Sequence, residues 1–478
     1  MTMKTKNEYK PTWKNWAKGI VACLLLVVFL IWIRSWLGVI ALPFVFDAYV
    51  TKRIRWDWWK DLENPVSRTI MSWVDAIVFA LVAVYFVNIY FFQNYTIPSI
   101  SLEKSLLVGD YLFVSKMAYG PRVPQTPLHA PLCQHTLPLN LGKSYIESIQ
   151  WDYRRVSPKP VKLNDIVVFN YPAGDTIAEK MQGHDYYLEC KAMYLRSYGL
   201  PANLDSMSKA DRYHFYSAAI NYASDYVKKD RQDFGEVIWR PVDRRENYVK
   251  RCVGLPGQTL QIKDHIIYLD GKANKEPENV QYNYAVRLRQ DIPEQLLRDM
   301  DISNDDMAEF HMTGLLPLTA KARKMLEARK DIVESIEFAT DDETESLYPL
   351  NGGLKWTRDN YGPIWIPKKG ASIRLSIDNI AIYERPIRVY EGNDLKVDDE
   401  GRIFINGKET DTYTFKMDYY WMQGDNRHKS ADSRYWGFVP EDHIVGKPIM
   451  IWLSLDKDRG LFKSIRWNRM FRWVENYN

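Results

Sequence analysis

Three short stretches of this 478-residue chain carry residue types that do chemistry. The first, Tyr95–Gly120, opens with Ser99 and Ser101 in I-P-S-I-S-L. In an extended chain residues i and i+2 face one side, so both hydroxyls address one reacting atom. The second, N-Y-V-K-R-C-V-G-L-P-G at Asn247–Gly257, sets Lys250 among apolar neighbours. An unperturbed lysine, with a pKa of about 10.4, is a poor base at neutral pH. Burial disfavours the ammonium and lowers that value. A neutral amine within hydrogen-bond reach then takes the proton of a serine hydroxyl. The third, G-D-N-R-H-K-S-A-D-S-R-Y-W-G at Gly424–Gly437, pairs Asp432 with Arg434 to pin a loop and offers Ser430 to direct an amine. It also holds His428, with Asp425 close in sequence, the ingredients of a Ser/His hydrolase. Taken singly, the three stretches also read as a polar strand, a structural lysine and a polar surface loop.

The elements that must position these residues begin with a membrane anchor, 1–93. Gly19–Ile33 and Trp36–Val50 are apolar runs separated near Arg34. Each is shorter than the roughly 20 residues of a full helical span, so they form either one long tilted span or a hairpin. No small-residue cleavage site follows them, which favours a retained anchor over a secretory signal. The basic segment 51–68 belongs on the cytoplasmic side, and Thr69–Phe92 is long enough to cross. Everything from 94 to 478 then forms one extracytoplasmic domain.

That domain reads as mainly β. Tyr111–Ser115 and Ile166–Phe169 have strand composition. Ile266–Lys272 and Ile403–Lys408 carry apolar strands ending in Asp-Gly and Asn-Gly, dipeptides that favour tight hairpins. Helical periodicity marks insertions near 175–233, as in Tyr213–Val227, and near 292–337, as in Pro317–Ile336. At the C-terminal end, Leu461–Tyr477 alternates aromatic and basic residues at helical spacing. It suits a helix lying in the membrane interface or packed on the β body.

Composition narrows the function classes. A net charge of +4 gives no reason for a nucleic-acid partner. The four cysteines, Cys23, Cys133, Cys190 and Cys252, form no C-x-x-C pair, and the last three leave a disulfide open. His129 and His135 beside Cys133 read as loop content. No metal or organic cofactor is indicated.

Together, I-P-S-I-S-L at 97–102, L-L-V-G-D at 106–110, N-D-I-V-V-F at 164–169, Y-V-K-R-C-V-G-L-P-G at 248–257 and G-D-N-R-H-K-S-A-D-S-R-Y-W-G-F-V-P at 424–440 resemble bacterial type I signal peptidases. These are membrane-anchored serine endopeptidases of family S26. The resemblance implies a mainly β, antiparallel catalytic domain behind N-terminal transmembrane helices, in a bacterial inner membrane, with the catalytic domain on the periplasmic side. Its partners would be the lipid bilayer and the signal peptides of exported preproteins. It implies Ser101 as nucleophile and Lys250 as general base of a Ser/Lys dyad. Ser99 would help form the oxyanion hole, Ser430 would orient the lysine, and Asp432–Arg434 would be a supporting salt bridge. Asn426 and Arg427 belong to the same box. Ile97, Pro98, Leu102, Leu106, Tyr248 and Val249 would line pockets for the small residues of an Ala-X-Ala cleavage motif.

The chain departs from the family pattern in places. Ile100 stands where glycine is common and suits an extended chain. Leu102 replaces the commoner methionine, and Lys104 stands where proline is frequent. A membrane-tethered binding or scaffold protein that has lost catalysis is the alternative.

Overall fold

The computed structural model describes residues 9–34, 36–341, 343–456, 460 and 464–474. Its N-terminal part is a bundle of apolar helices. Helix α1 (Trp13–Ile33) ends on Arg34, whose left-handed backbone breaks the helix. The chain then returns through Leu37–Ile40, α2 (Ala41–Phe46) and a wide turn of helix to Thr51. The return runs antiparallel to α1. Gly38 lies against Leu30, Gly19 against Val50, and the Trp16 and Phe46 rings are 5.7 Å apart. A Cβ on Gly19 would come within 2.4 Å of Val50, so the close approach requires glycine there. The two apolar runs on either side of Arg34 are therefore a hairpin, not one long helix.

Helix α3 (Pro65–Tyr90) starts with Asn64 accepting from the backbone N–H of Val66 and Ser67, and with proline in its first turn, where no amide partner is needed. It runs parallel to α1: Phe29 packs edge-on against Tyr90 at 5.3 Å, and Trp32 lies 6.2 Å from Tyr90. At the opposite ends, Lys52 after α2 sits 4.6 Å over the ring of Tyr9, so the basic segments before α1 and after α2 share one end of the bundle. Helices α1 and α3 are long and apolar enough to cross a membrane. Phe79, Trp73 and Ile77 of α3 are exposed, an apolar surface that water does not favour.

Beyond α3 the fold is mainly antiparallel sheet. Strand β1 (Phe92–Thr96) pairs with β2 (Asp110–Ser115). The main sheet continues through Ile444–Ser454, β3 (Ile166–Asn170), Asn247–Gly254 and Tyr419–Gln423. The predicted Asp-Gly and Asn-Gly hairpins form: Asp270–Gly271 and Asn406–Gly407 all have positive φ and join paired strands.

The first insertion contains α4 (Tyr186–Tyr198) and α5 (Lys209–Lys229), which cover the expected helix at Tyr213–Val227. The second is not simply helical. Leu315–Thr319 and Val333–Phe338 are strands on either side of Gln281–Leu288, and only Ala320–Glu327 of the stretch 317–336 is helix. Leu316, Pro317 and Leu318 are buried in succession, as in a strand covered on both faces. This unit has its own core, including Phe310, Leu326 and Ile332.

The C-terminal segment also differs from a helix. Arg472–Trp473 adds a short strand to Met450–Ile451, and buried Arg469 holds Asp110 at 2.6 Å. Trp467, Phe471 and Trp473 are exposed. The rest of that aromatic-basic stretch, 461–463 and 475–477, lies outside the described residues. The four cysteines are free thiols.

Candidate active site

Ser101 follows β1 on a single turn of 310 helix, Ile100–Leu102, so this segment is not extended as the i, i+2 argument assumed. Ser99 itself is extended, and the two hydroxyls still lie 3.3 Å apart. The turn exposes Ile100, so a large side chain is tolerated there without stacking on the reacting atoms.

Lys250 sits in the strand Asn247–Gly254, which pairs residue by residue with β3, Val167 opposite Lys250. Its Nζ lies 2.6 Å from Ser101 Oγ. Both side chains are buried, with the lysine 5% and the serine 6% exposed. Burial pulls the lysine down to about 8, against the opposing pull of Asp432 and Asp425, which favour the ammonium. At pH 7 about a tenth of the amine is then neutral, compared with less than a thousandth for an ordinary lysine. The amine also lies 5.7 Å from the Tyr248 ring.

The loop 424–437 holds the nucleophile from the other side. Asn426 donates its backbone N–H to Ser101 O at 3.1 Å and its side-chain amide to Ile100 O. Gly424 packs so tightly that a Cβ would lie 2.5 Å from Ser101 O and 2.3 Å from Ser430 Oγ. Asp432 pairs with Arg434 at 2.8–2.9 Å, wholly buried, and also accepts from the Gly424 N–H. The guanidinium holds the Asp432 carboxyl below the usual carboxylate range despite burial. Arg434 also donates to the Arg427 carbonyl, closing the loop on itself. Ser430 Oγ contacts the Ala431 carbonyl at 3.4 Å, and among the described residues no hydrogen bond joins it to Lys250.

The His428–Asp425 arrangement does not form. Asp425 accepts from both Arg251 nitrogens at 2.7 Å and from Ser105 at 2.6 Å. His428 instead faces Asp359 through Nε2 at 2.9 Å, while Nδ1 accepts from the Asn283 N–H. Residues adjacent in a tight loop point opposite ways, so sequence proximity misleads. His265 joins this cluster, 2.9 Å from Asp359. The three donors could surround an ion, but their chemistry does not suit one. Because His428 Nδ1 accepts an amide proton, Nε2 carries the ring proton and donates to Asp359 rather than offering a lone pair.

The candidate pocket residues divide. Ile97, Leu102 and Leu106 are buried together with Leu112, Val114 and Ile166, and Val249 packs on that cluster. Pro98 is exposed. Tyr248, beside the Lys250 amine, is stacked on Tyr171 at 4.5 Å and edge-on to Trp436 at 5.4 Å rather than packed in that cluster. Sequence reasoning missed the positioning roles of Gly424, Ser105 and Arg251. The signal for Gly424 was present as a glycine opening the densest polar loop.

The family model for signal peptidase, peptidase S26, matches residues 70–313 and 369–453, more than half of the chain. The chain belongs to the signal peptidase family, peptidase S26. The stretch the family model omits, 314–368, includes two of the three strands of the second insertion. Among similar proteins is signal peptidase I of Buchnera aphidicola subsp. Acyrthosiphon pisum, 27% identical over 252 residues, a match that spans 51% of this chain and 60% of that protein. Signal peptidase I of Haemophilus influenzae is 42% identical over 70 residues, 14% of this chain and 20% of that one. That of Aquifex aeolicus is 56% identical over 36 residues, 8% of this chain and 14% of that one.

Proposed function

We propose that this chain is a membrane-tethered serine endopeptidase that removes N-terminal signal peptides from exported preproteins. The observation that carries the proposal is the 2.6 Å approach of a dried lysine amine to the Ser101 hydroxyl. Neutral Lys250 takes the Ser101 proton as Oγ attacks the scissile carbonyl. The ammonium so formed is favoured by Asp432 and Asp425, and it returns its proton to the leaving amine. Water then repeats the cycle on the acyl-enzyme. The Ser99 hydroxyl and the Ser101 N–H stabilise the oxyanion. Ser430, beside Gly424 in the loop that packs on the Ser101 turn, would orient the lysine. Val249, packed on the buried cluster of Ile97, Leu102 and Leu106, leaves room only for small side chains beside the scissile bond. An extended substrate docks along strand edges. The dyad needs no cofactor.

The bundle supports the tethering. Helices α1 and α3 span the bilayer in parallel, with the α2 return between them. Both basic segments lie at the cytoplasmic end, as the positive-inside tendency requires. The β domain then faces the outer side of the bacterial inner membrane, where signal peptides emerge and tethering raises their effective concentration. The test is a detergent extract processing a presecretory protein. Cleavage that stops in S101A and K250M carries the proposal. Cleavage that survives either substitution, or an intact protein that never cleaves, as a binding scaffold would, defeats it.

A further inference from the structure

A cavity of about 480 Å³ lies where the last turns of α3 meet the sheet, away from the dyad. Tyr85 and Ile89 of α3 form one wall, and Lys116, Arg122, Asp243 and Arg244 supply its charge. Three cations thus face one carboxylate. Of the other titratable groups in the lining, His129 is held neutral, burial lowering it to about 4, burial raises the Tyr95 phenol, Tyr85 is a second phenol, and Cys133 is a free thiol. Arg244 is committed to Thr126, Gln134 and Asp243. Arg122 donates to Asn170 at 2.6 Å and to the Asp442 carbonyl. Lys116, just after β2, has no side-chain hydrogen bond or ion pair among the described residues. Burial, then Arg122 and Arg244, lower its amine to about 7. An amine facing two guanidiniums with no hydrogen-bonded acceptor is an unfavourable arrangement that one bound anion would relieve.

The position of the cavity says which anion. Its α3 wall belongs to the helix whose exposed apolar surface continues through Val84, Phe86 and Val87. Where a spanning helix leaves hydrocarbon, the anions at that depth are phosphodiesters. We infer that this cavity holds the phosphodiester headgroup of an anionic phospholipid, with Lys116 and Arg122 facing the phosphate and the acyl chains lying along α3. The inference rests on α3 being a bilayer span, and it does not depend on the dyad.

Native mass spectrometry of the full-length protein released from detergent tests it. With dioleoyl phosphatidylglycerol, wild type and S101A should each retain one lipid. K116Q and R122Q should each weaken retention about tenfold, the loss of one charge-assisted contact. Phosphatidylcholine should be retained less than phosphatidylglycerol. Inorganic phosphate alone should not show the Lys116-dependent binding. K116Q should still float with phosphatidylglycerol vesicles, which separates loss of the headgroup site from loss of the anchor. Retention by both glutamine variants equal to wild type would overturn the inference. So would Lys116-dependent binding of inorganic phosphate without lipid retention, or equal retention of the two lipids. A wild type that fails to float would instead remove the membrane reading of α3.

Discussion

Lys250 in a strand of the main sheet and Lys116 just after β2 are both amines lowered by burial, and their surroundings set a proposed base apart from a proposed docking point. Lys250 and Lys116 are both pulled down by burial first, to about 8 and about 7. What differs is what each amine meets. Lys250 touches a serine hydroxyl, and Asp432 and Asp425 favour its charged form. Lys116 meets Arg122, Arg244 and open space, with Asp243 the one acid that favours its charge. Desolvation alone therefore does not make a general base. The base needs an acid to deprotonate in contact and a field that stabilises the resulting ammonium.

The comparison breaks most sharply at the dyad. Replacing Ser101 by Ala or Lys250 by Met should abolish cleavage of a presecretory protein, a fall of about 10⁴-fold or more in kcat. Lys116→Met should leave cleavage in detergent within about twofold, although it too removes an amine of lowered pKa. Single-turnover assays of the three variants decide this. Ser99→Ala comes next: losing one oxyanion donor should cost about 10²- to 10³-fold in kcat with KM little changed. A fall confined to KM would remove Ser99 from the oxyanion site.

Asp432→Asn sharpens the role of the field. It leaves the wholly buried Arg434 guanidinium without its carboxylate, so unfolding of the catalytic domain should become easier by about 3–5 kcal/mol. Thermal unfolding in detergent measures it, and an unchanged midpoint would contradict the packing described. His428→Ala should have only a small effect on catalysis, less than about threefold, because its ring is bound to Asp359 and the Asn283 amide rather than to the nucleophile. A loss matching that of K250M would revive the Ser/His chemistry.

How much of this was legible in the sequence varies from residue to residue. Ser101 and Lys250, 149 residues apart, stood out only through the family resemblance of the boxes around them, whereas the Asp432–Arg434 pair is two residues apart in one short loop. Asp270-Gly271 and Asn406-Gly407 were legible for a similar reason: positive φ is a property of the residue itself. The stretch 317–336 was not, because spaced Leu, Met and Ile satisfy a helix and a strand alike until the partner strand Gln281–Leu288 decides. The partner of Asp425 was hidden because it comes from another strand, Arg251, and not from the neighbouring histidine. The cavity at Lys116 was invisible because α3, β1, the turn after β2 and the 243–244 segment meet only in the folded chain.

The pH dependence of kcat/KM for cleavage of a presecretory protein tests the central claim most directly. The neutral amine is the reactive form and burial lowers its pKa, so activity must rise with pH. It should be low below about pH 7, climb through an inflection near 8 and level off above it. An inflection near 10.4, where an unburied lysine titrates, or one near 6.5 that vanishes in H428A, would contradict the account.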